Sequence, residues 1–265
     1  MPRFKLLIEY AGTHYSGWQI QKNARTVQGE IDRAIRTVAP GTAFELYGAG
    51  RTDAGVHALM QVAHLDLQTT LPPDILVSRI NDELPAHINL LSAARVPHRF
   101  HARHDAVARS YLYHIARRRT AFAKPYVWWV REDLDVAAMR HAAKALTGMR
   151  DFRSFTDDDP DEKSTQVAID ELTIREVAGL ILIRIVGSHF LWKMVRRIVG
   201  VLVEIGRGRL PADAAGRFLT EPSGLPARLT APASGLFLER VLYEGDPRDW
   251  PLLPAIGGLS ESAAG

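Results

Sequence analysis

Apolar residues along this chain recur at spacings that switch between two and about 3.6, and the order of the switches limits the folds open to it. Residues 3–10 alternate as a strand. From Thr26, a favoured helix N-cap, Val27, Ile31, Ile35 and Val38 recur at helical spacing until Pro40 and Gly41 stop the run. Residues 43–47 and 61–67 read as strands on either side of a glycine-rich loop. Pro72 and Pro73 open a helix carrying Ile75, Leu76, Ile80 and Leu84, ended by Pro85, and residues 88–96 return as a strand. The order is β-α-β-β-α-β. After a basic loop it recurs: a strand over 110–116, a further short one over 126–130, and a helix capped by Asp135 and closed by Gly148. A hairpin of 167–175 and 180–186 turning at Ala178-Gly179, a helix over 190–205 and a last strand over 236–243 complete it. Two copies of the split βαβ unit predict a duplicated α+β architecture, its sheets edge to edge and a cleft between the halves. We divide the chain into 1–104, 105–246 and a tail over 247–265 rich in Pro, Gly, Ala and Ser. No sequence repeat accompanies the duplication, which rests on element order.

The loop between the second and third strands, Gly48-Ala49-Gly50-Arg51-Thr52-Asp53-Ala54-Gly55-Val56-His57-Ala58, is where chemistry is expected. Glycines at 48, 50 and 55 permit positive φ and close approach of another molecule. Asp53 is the loop's only carboxylate, and Arg51 sets a fixed positive charge two residues away, which predicts an ionised aspartate able to act as nucleophile or base. Two other readings fit the residues: a phosphate cradle, although the loop lacks the glycine and Lys-Ser/Thr pattern of the nucleotide loops, and an aspartate that caps a turn. Ahead of it, residues 13–22 form a loop in which Trp18 reads as a hydrophobic plug.

Lys and Arg number 33 against 30 Asp and Glu, so a net charge of +3 and a pI near 9.3 favour a polyanionic partner without requiring one. There is no cysteine. That removes disulfides, cysteine-bearing zinc sites and any thiolate nucleophile, leaving the Asp53 carboxylate as the candidate for any covalent step. No apolar run reaches the length of about twenty residues that spans a bilayer, and the opening Met-Pro-Arg-Phe-Lys reads as a strand rather than a signal peptide, which places the protein in the cytoplasm.

Three further stretches carry charge in telling places. The loop over 98–109 holds Arg99, Arg103, Arg109, His98, His101 and His104; the histidines suit a metal only if the stretch is helical, and RNA backbone contact is the stronger reading. Five acids among residues 157–162 read as a solvated, mobile loop kept off RNA. Arg196 and Arg197 sit among apolar residues of the helix over 190–205, so at least one guanidinium should turn to the core and need an anionic partner.

The run Gly50-Arg51-Thr52-Asp53-Ala54-Gly55-Val56-His57-Ala58 resembles the signature of the TruA-type tRNA pseudouridine synthases. Phe100-His101-Ala102-Arg103, residues 187–200 and residues 230–236 resemble three further motifs of that family in the same order. The resemblance implies a pseudouridine synthase fold, two ferredoxin-like halves forming a mixed, largely antiparallel sheet. It also implies cofactor-free, metal-free isomerisation of uridine to pseudouridine in the tRNA anticodon stem-loop, positions 38–40, by a homodimer. Asp53 matches the catalytic aspartate, attacking the sugar or the ring or removing a sugar proton. Arg51 matches the arginine that helps hold the flipped-out state, Tyr111 the tyrosine that stacks on uracil, and Arg196 the partner of Asp53. Arg99, Arg103, Arg109 and His101 are expected to bind RNA. Val167 stands where relatives often carry arginine and His87 where aspartate is common, which puts local RNA contacts in doubt. A non-catalytic RNA-binding module of the same split βαβ type is the alternative, although its aromatic strand signature is absent. A glycosidase would want two carboxylates, and the motif offers one.

Overall fold

The computed structural model describes residues 1–159, 162 and 164–256. It divides into two compact units, Met1–Val107 with Phe237–Asp246, and Ala108–Leu236 with the described residues from Pro247 onward. The last strand therefore belongs with the amino-terminal elements, unlike the division at residues 104 and 105 that sequence order suggests. Among the described residues no helix is long and apolar enough to cross a membrane.

In the first unit, β1 (Arg3–Tyr10) lies between β3 (His57–Leu67) and β4 (Ile88–Val96), antiparallel to both, with Leu6 opposite Ala63 and Ala93. At 11 residues β3 is long enough to hold two neighbours on its other edge. Its first residues pair in parallel with β10 (Leu236–Tyr243), Phe237 opposite His57, and its last with antiparallel β2 (Phe44–Gly48), Leu46 opposite Leu65. The period-2 pattern of β1 turns Phe4, Leu6 and Ile8 to a face with no solvent exposure. Helices α1 (Val27–Val38) and α2 (Pro73–Glu83) cover that face, burying Val27, Ile31, Ala34 and Ile35, and Leu76 and Ile80. Thr26 caps α1, its hydroxyl accepting from the Gly29 amide at 3.2 Å.

The opposite face carries Arg3, Lys5 and His64, and residues 97–105 lie over it. The Arg3 guanidinium donates to both Asp66 carboxylate oxygens, at 2.6 and 2.5 Å, and through Nη1 to the carbonyls of His98 and Phe100, each at 2.7 Å. Lys5 lies over the rings of Phe100 and Tyr243.

In the second unit the strand order is β5 (Ala106–Ala116), β9 (Leu180–Gly187), β8 (Gln166–Val177), β7 (Gly148–Asp151), all antiparallel, with β6 (Trp128–Trp129) parallel to β5. Ala178 and Gly179 both take positive φ, 48° and 77°, as a two-residue turn matched to strand twist requires. Helix α3 (Val136–Ala143) starts where Asp135 accepts from the Ala138 amide at 2.9 Å. It packs on α4 (Met194–Gly206), followed by the short α5 (Ala214–Thr220) and α6 (Leu225–Arg228). Helix α4 begins four residues later than its periodicity predicts, because Lys193 adopts a left-handed φ of 60° that no α-helix accommodates.

One expectation fails and another holds only in part. Residues 247–256, read as tail, cross the second unit's sheet: the Trp250 and Pro251 carbonyls accept from Arg184 on β9 at 3.1 and 2.9 Å, and the Ala255 amide donates to His114 on β5 at 3.2 Å. Buried side chains of Arg and His in mid-strand need polar partners, and this segment supplies them. The rest of the predicted tail, 257–265, lies outside the described residues. The acidic run, of which residues 160 and 161 also lie outside them, is anchored at its start: Asp157 pairs with Arg197 and Lys193, and Asp158 accepts from the Trp192 amide at 3.1 Å.

Candidate active site

The loop after β2 is clamped between two layers of backbone. Beneath it run residues 10–18: the Trp18 amide donates to the Thr52 carbonyl at 3.1 Å, the Gly55 amide to Tyr15 at 3.2 Å, and the Tyr10 and Thr52 hydroxyls bond at 2.8 Å. The Gly12 amide donates to His57 Nδ1 at 3.0 Å, and a Cβ on Gly12 would stand 1.9 Å from the Val56 carbonyl. On the strand side, Ala49 donates to Val62 at 2.7 Å and Gln61 Nε2 to the Gly50 carbonyl at 3.1 Å. Trp18, 1% exposed, is the expected plug, and it lies so close under Gly48 that a Cβ there would meet its indole at 2.6 Å. Of the three glycines only Gly55 takes positive φ, 78°, closing the turn in which Val56 donates to the Asp53 carbonyl at 3.2 Å. Gly48 is needed for close packing, and Gly50 faces open space. The clamped loop presents Arg51 exposed, without a hydrogen-bond or ion-pair partner among the described residues, and Asp53 half-buried.

The basic loop is equally fixed. Ala102 donates its amide to His64 Nδ1 at 3.1 Å and accepts from the Tyr243 hydroxyl at 2.7 Å. The stretch turns rather than forming a helix: His101 Nδ1 accepts from the amides of Arg103 and His104 at 3.2 Å, while the His101 amide donates to Asp105. Burial holds the His101 imidazole below the usual histidine range. Of the four residues expected to bind RNA, His101 thus serves the loop's own backbone through Nδ1. Arg99 and Arg103 are exposed, Arg99 with no partner among the described residues. Arg109, in the second unit, donates to the Ser188 carbonyl at 3.0 Å.

That second unit separates its two tyrosines on β5. Tyr113 is fully buried and donates to the Pro232 carbonyl at 2.8 Å; burial pushes its hydroxyl well above the ordinary phenol range. Tyr111 is half-buried and meets Phe190 edge-on at 5.1 Å. The two arginines of α4 divide similarly. Arg197 is the one turned inward, 3% exposed at its side chain, and its anionic partner is Asp157. Arg196 exchanges two hydrogen bonds with Ala231: its Nε donates to that carbonyl at 2.7 Å and its own carbonyl accepts from that amide at 3.0 Å. This pair joins the third and fourth sequence motifs. Val167 is buried in β8, and the His87 ring meets His14 edge-on at 5.4 Å.

A family model described as tRNA pseudouridine synthase matches residues 6–105 and 142–244. The chain belongs to the tRNA pseudouridine synthase family. Among its relatives, the tRNA pseudouridine synthase A of Rhodopseudomonas palustris (strain BisA53) is 42% identical over 247 residues, which is 92% of this chain and 100% of the relative. That of Halalkalibacterium halodurans is 38% identical over 242 residues, 91% of this chain and 92% of the relative. This tRNA pseudouridine synthase homologue is thereby an isomerase by family. The matched stretches contain the loop of Asp53, residues 98–105 of the basic loop and the Arg196 helix; Arg109 and Tyr111 fall between them.

Sequence reasoning missed the groups that set the stage in this pseudouridine synthase family member. Arg3, Asp66 and His64 hold the basic loop to the sheet. Their signal was a charged or polar residue at alternate positions of otherwise apolar strands, which a purely hydrophobic reading of β1 and β3 passes over.

Proposed function

We propose that the protein converts uridines to pseudouridine on the 3′ side of the tRNA anticodon stem-loop, at positions 38–40, with Asp53 as the reacting carboxylate. The observation that carries this is the single carboxylate held on a loop whose backbone is bonded on both sides, next to Arg51, a cation with no partner among the described residues. Isomerisation breaks the N-glycosidic bond, turns the uracil in place, joins its C5 to C1′ of the sugar with loss of the C5 proton and leaves a proton on the freed N1, so no atom enters or leaves overall and one carboxylate suffices. A nucleotide stacked in a stem must first be flipped out, at a cost of a few kcal/mol. Arg51 is suited to hold the flipped-out backbone, Tyr111 to stack on the uracil, and Arg196 to orient Asp53. Arg99, Arg103 and Arg109 would take phosphates, and His101 shapes the loop that carries two of them. We place the enzyme in the cytoplasm, acting as a homodimer.

The test is carbodiimide mapping of pseudouridine on an unmodified tRNA transcript incubated with wild type and with Asp53→Asn. Primer-extension stops in the anticodon arm with wild type alone support the assignment. Equal stops with both proteins would remove Asp53 from the chemistry, and stops elsewhere in the tRNA would move the substrate site.

A further inference from the structure

Four rings gather in the first unit beside the Asp53 loop. Tyr47, the last residue before Gly48, lies on β2 directly opposite His64 on β3, and the two rings stack at 5.2 Å between centroids with an interplanar angle of 24°. His64 meets His101 edge-on at 4.7 Å, and His101 meets His104 at 4.2 Å. The row runs from a core position outward: His64 is 1% exposed, Tyr47 is 50% exposed, and His104 is exposed.

The row is held from behind. His64 accepts the Ala102 amide, His101 accepts two amides of its own turn, and Arg3 and Asp66 fix the same loop to the sheet. Burial, with Arg3 next in effect, lowers the His64 pKa to about 4, so the ring beneath Tyr47 is a neutral imidazole at physiological pH. A half-exposed tyrosine braced on a fixed neutral ring has little rotamer freedom left to lose when something lies on it. Exposed cations lie close in the chain: Arg51 four residues after Tyr47, and Arg99 and Arg103 on the loop that carries His101 and His104. Aromatic rings beside arginines are what unpaired bases and their phosphates bind, because every base has a π face and stacking ignores its identity.

We infer that Tyr47, braced by His64, is a stacking platform for an unpaired nucleobase of the tRNA next to the target uridine. It is a substrate-positioning residue, and the inference rests on the tRNA reading given above. A stacked base is worth roughly a 5- to 150-fold change in Kd. Stacking displaces no counterions, so its loss leaves the salt dependence of binding intact, whereas loss of a phosphate contact lowers the slope by about one.

The experiment measures Kd for the unmodified tRNA transcript at several salt concentrations with wild type, Tyr47→Ala, Tyr47→Leu and Tyr47→Phe. The expected result is a Kd raised at least about fivefold by Ala and by Leu, an unchanged salt slope, and recovery by Phe, which keeps the ring and drops the hydroxyl. Leu keeps apolar bulk over His64 and serves should Tyr47→Ala fold poorly. Binding by Tyr47→Leu within twofold of wild type overturns the proposal, as does a lowered salt slope. So does a change of oligomeric state in Tyr47→Ala with tRNA affinity kept, which would assign the ring to a protein interface. Wild type that fails to bind tRNA refutes the underlying tRNA reading instead.

Discussion

His64 makes the stability of the protein depend on pH in a window where its carboxylates contribute little. The imidazole is buried at the centre of the first unit's sheet, its Nδ1 accepts a backbone amide, and burial lowers its pKa from 6.5 to about 4. The unfolded chain therefore binds a proton at this site that the folded one refuses between those values, so stability rises with pH through the window and falls on acidification. For a shift of this size the expected loss from pH 7 to pH 5 is about 2 kcal/mol, approaching about 3 kcal/mol below pH 4. Asp66, Asp151 and Asp157, all held below the usual carboxylate range by arginine partners, lose their contribution only at lower pH, as pH falls from the unfolded carboxyl value through their folded ones. Urea unfolding at pH 7 and pH 5 should show wild type losing about 2 kcal/mol more than His64→Gln, whose amide can still accept the Ala102 N–H and does not titrate. Parallel pH dependences of the two proteins would refute a neutral buried His64.

The Arg197 pair gives a second stability test. Asp157→Ala leaves a guanidinium 3% exposed without its anion and should cost about 2 kcal/mol, less than a fully buried pair because the Asp157 side chain is 41% exposed, whereas Arg197→Met should be close to neutral. Equal losses in urea melts of the two variants would show that the ion pair is not the source. On the RNA side, Arg103→Ala should weaken tRNA binding and lower the salt slope by about one; a slope identical to wild type would remove Arg103 from the phosphate contacts.

The elements set by local periodicity were legible in the sequence, and those set by pairing were not. Strands β1, β4 and β10 and helix α1 begin and end where alternation, Thr26 and the prolines place them. Strand β3 begins at His57, four residues before the apolar run, because its first residues are held by β10, which arrives in sequence about 180 positions later. Helix α4 reads as longer than it is because periodicity cannot register one residue in the left-handed region. The same limit applies to the site. Asp53, Arg51 and the basic loop announce themselves by residue type, but what makes their positions definite is a set of contacts between distant segments. These are Gly12 against Val56, Trp18 under Gly48, Arg3 on Asp66 and on the carbonyls of the basic loop, and His64 on Ala102. Arg196 and Arg197 show the consequence most directly. Adjacent in sequence and alike in chemistry, they point on average 100° apart around the helix, which sends one to Asp157 and the other to Ala231. A charged pair in an apolar helix thus predicts that an anionic partner must exist, and only the fold says that it comes from the acidic run that composition alone assigns to solvent.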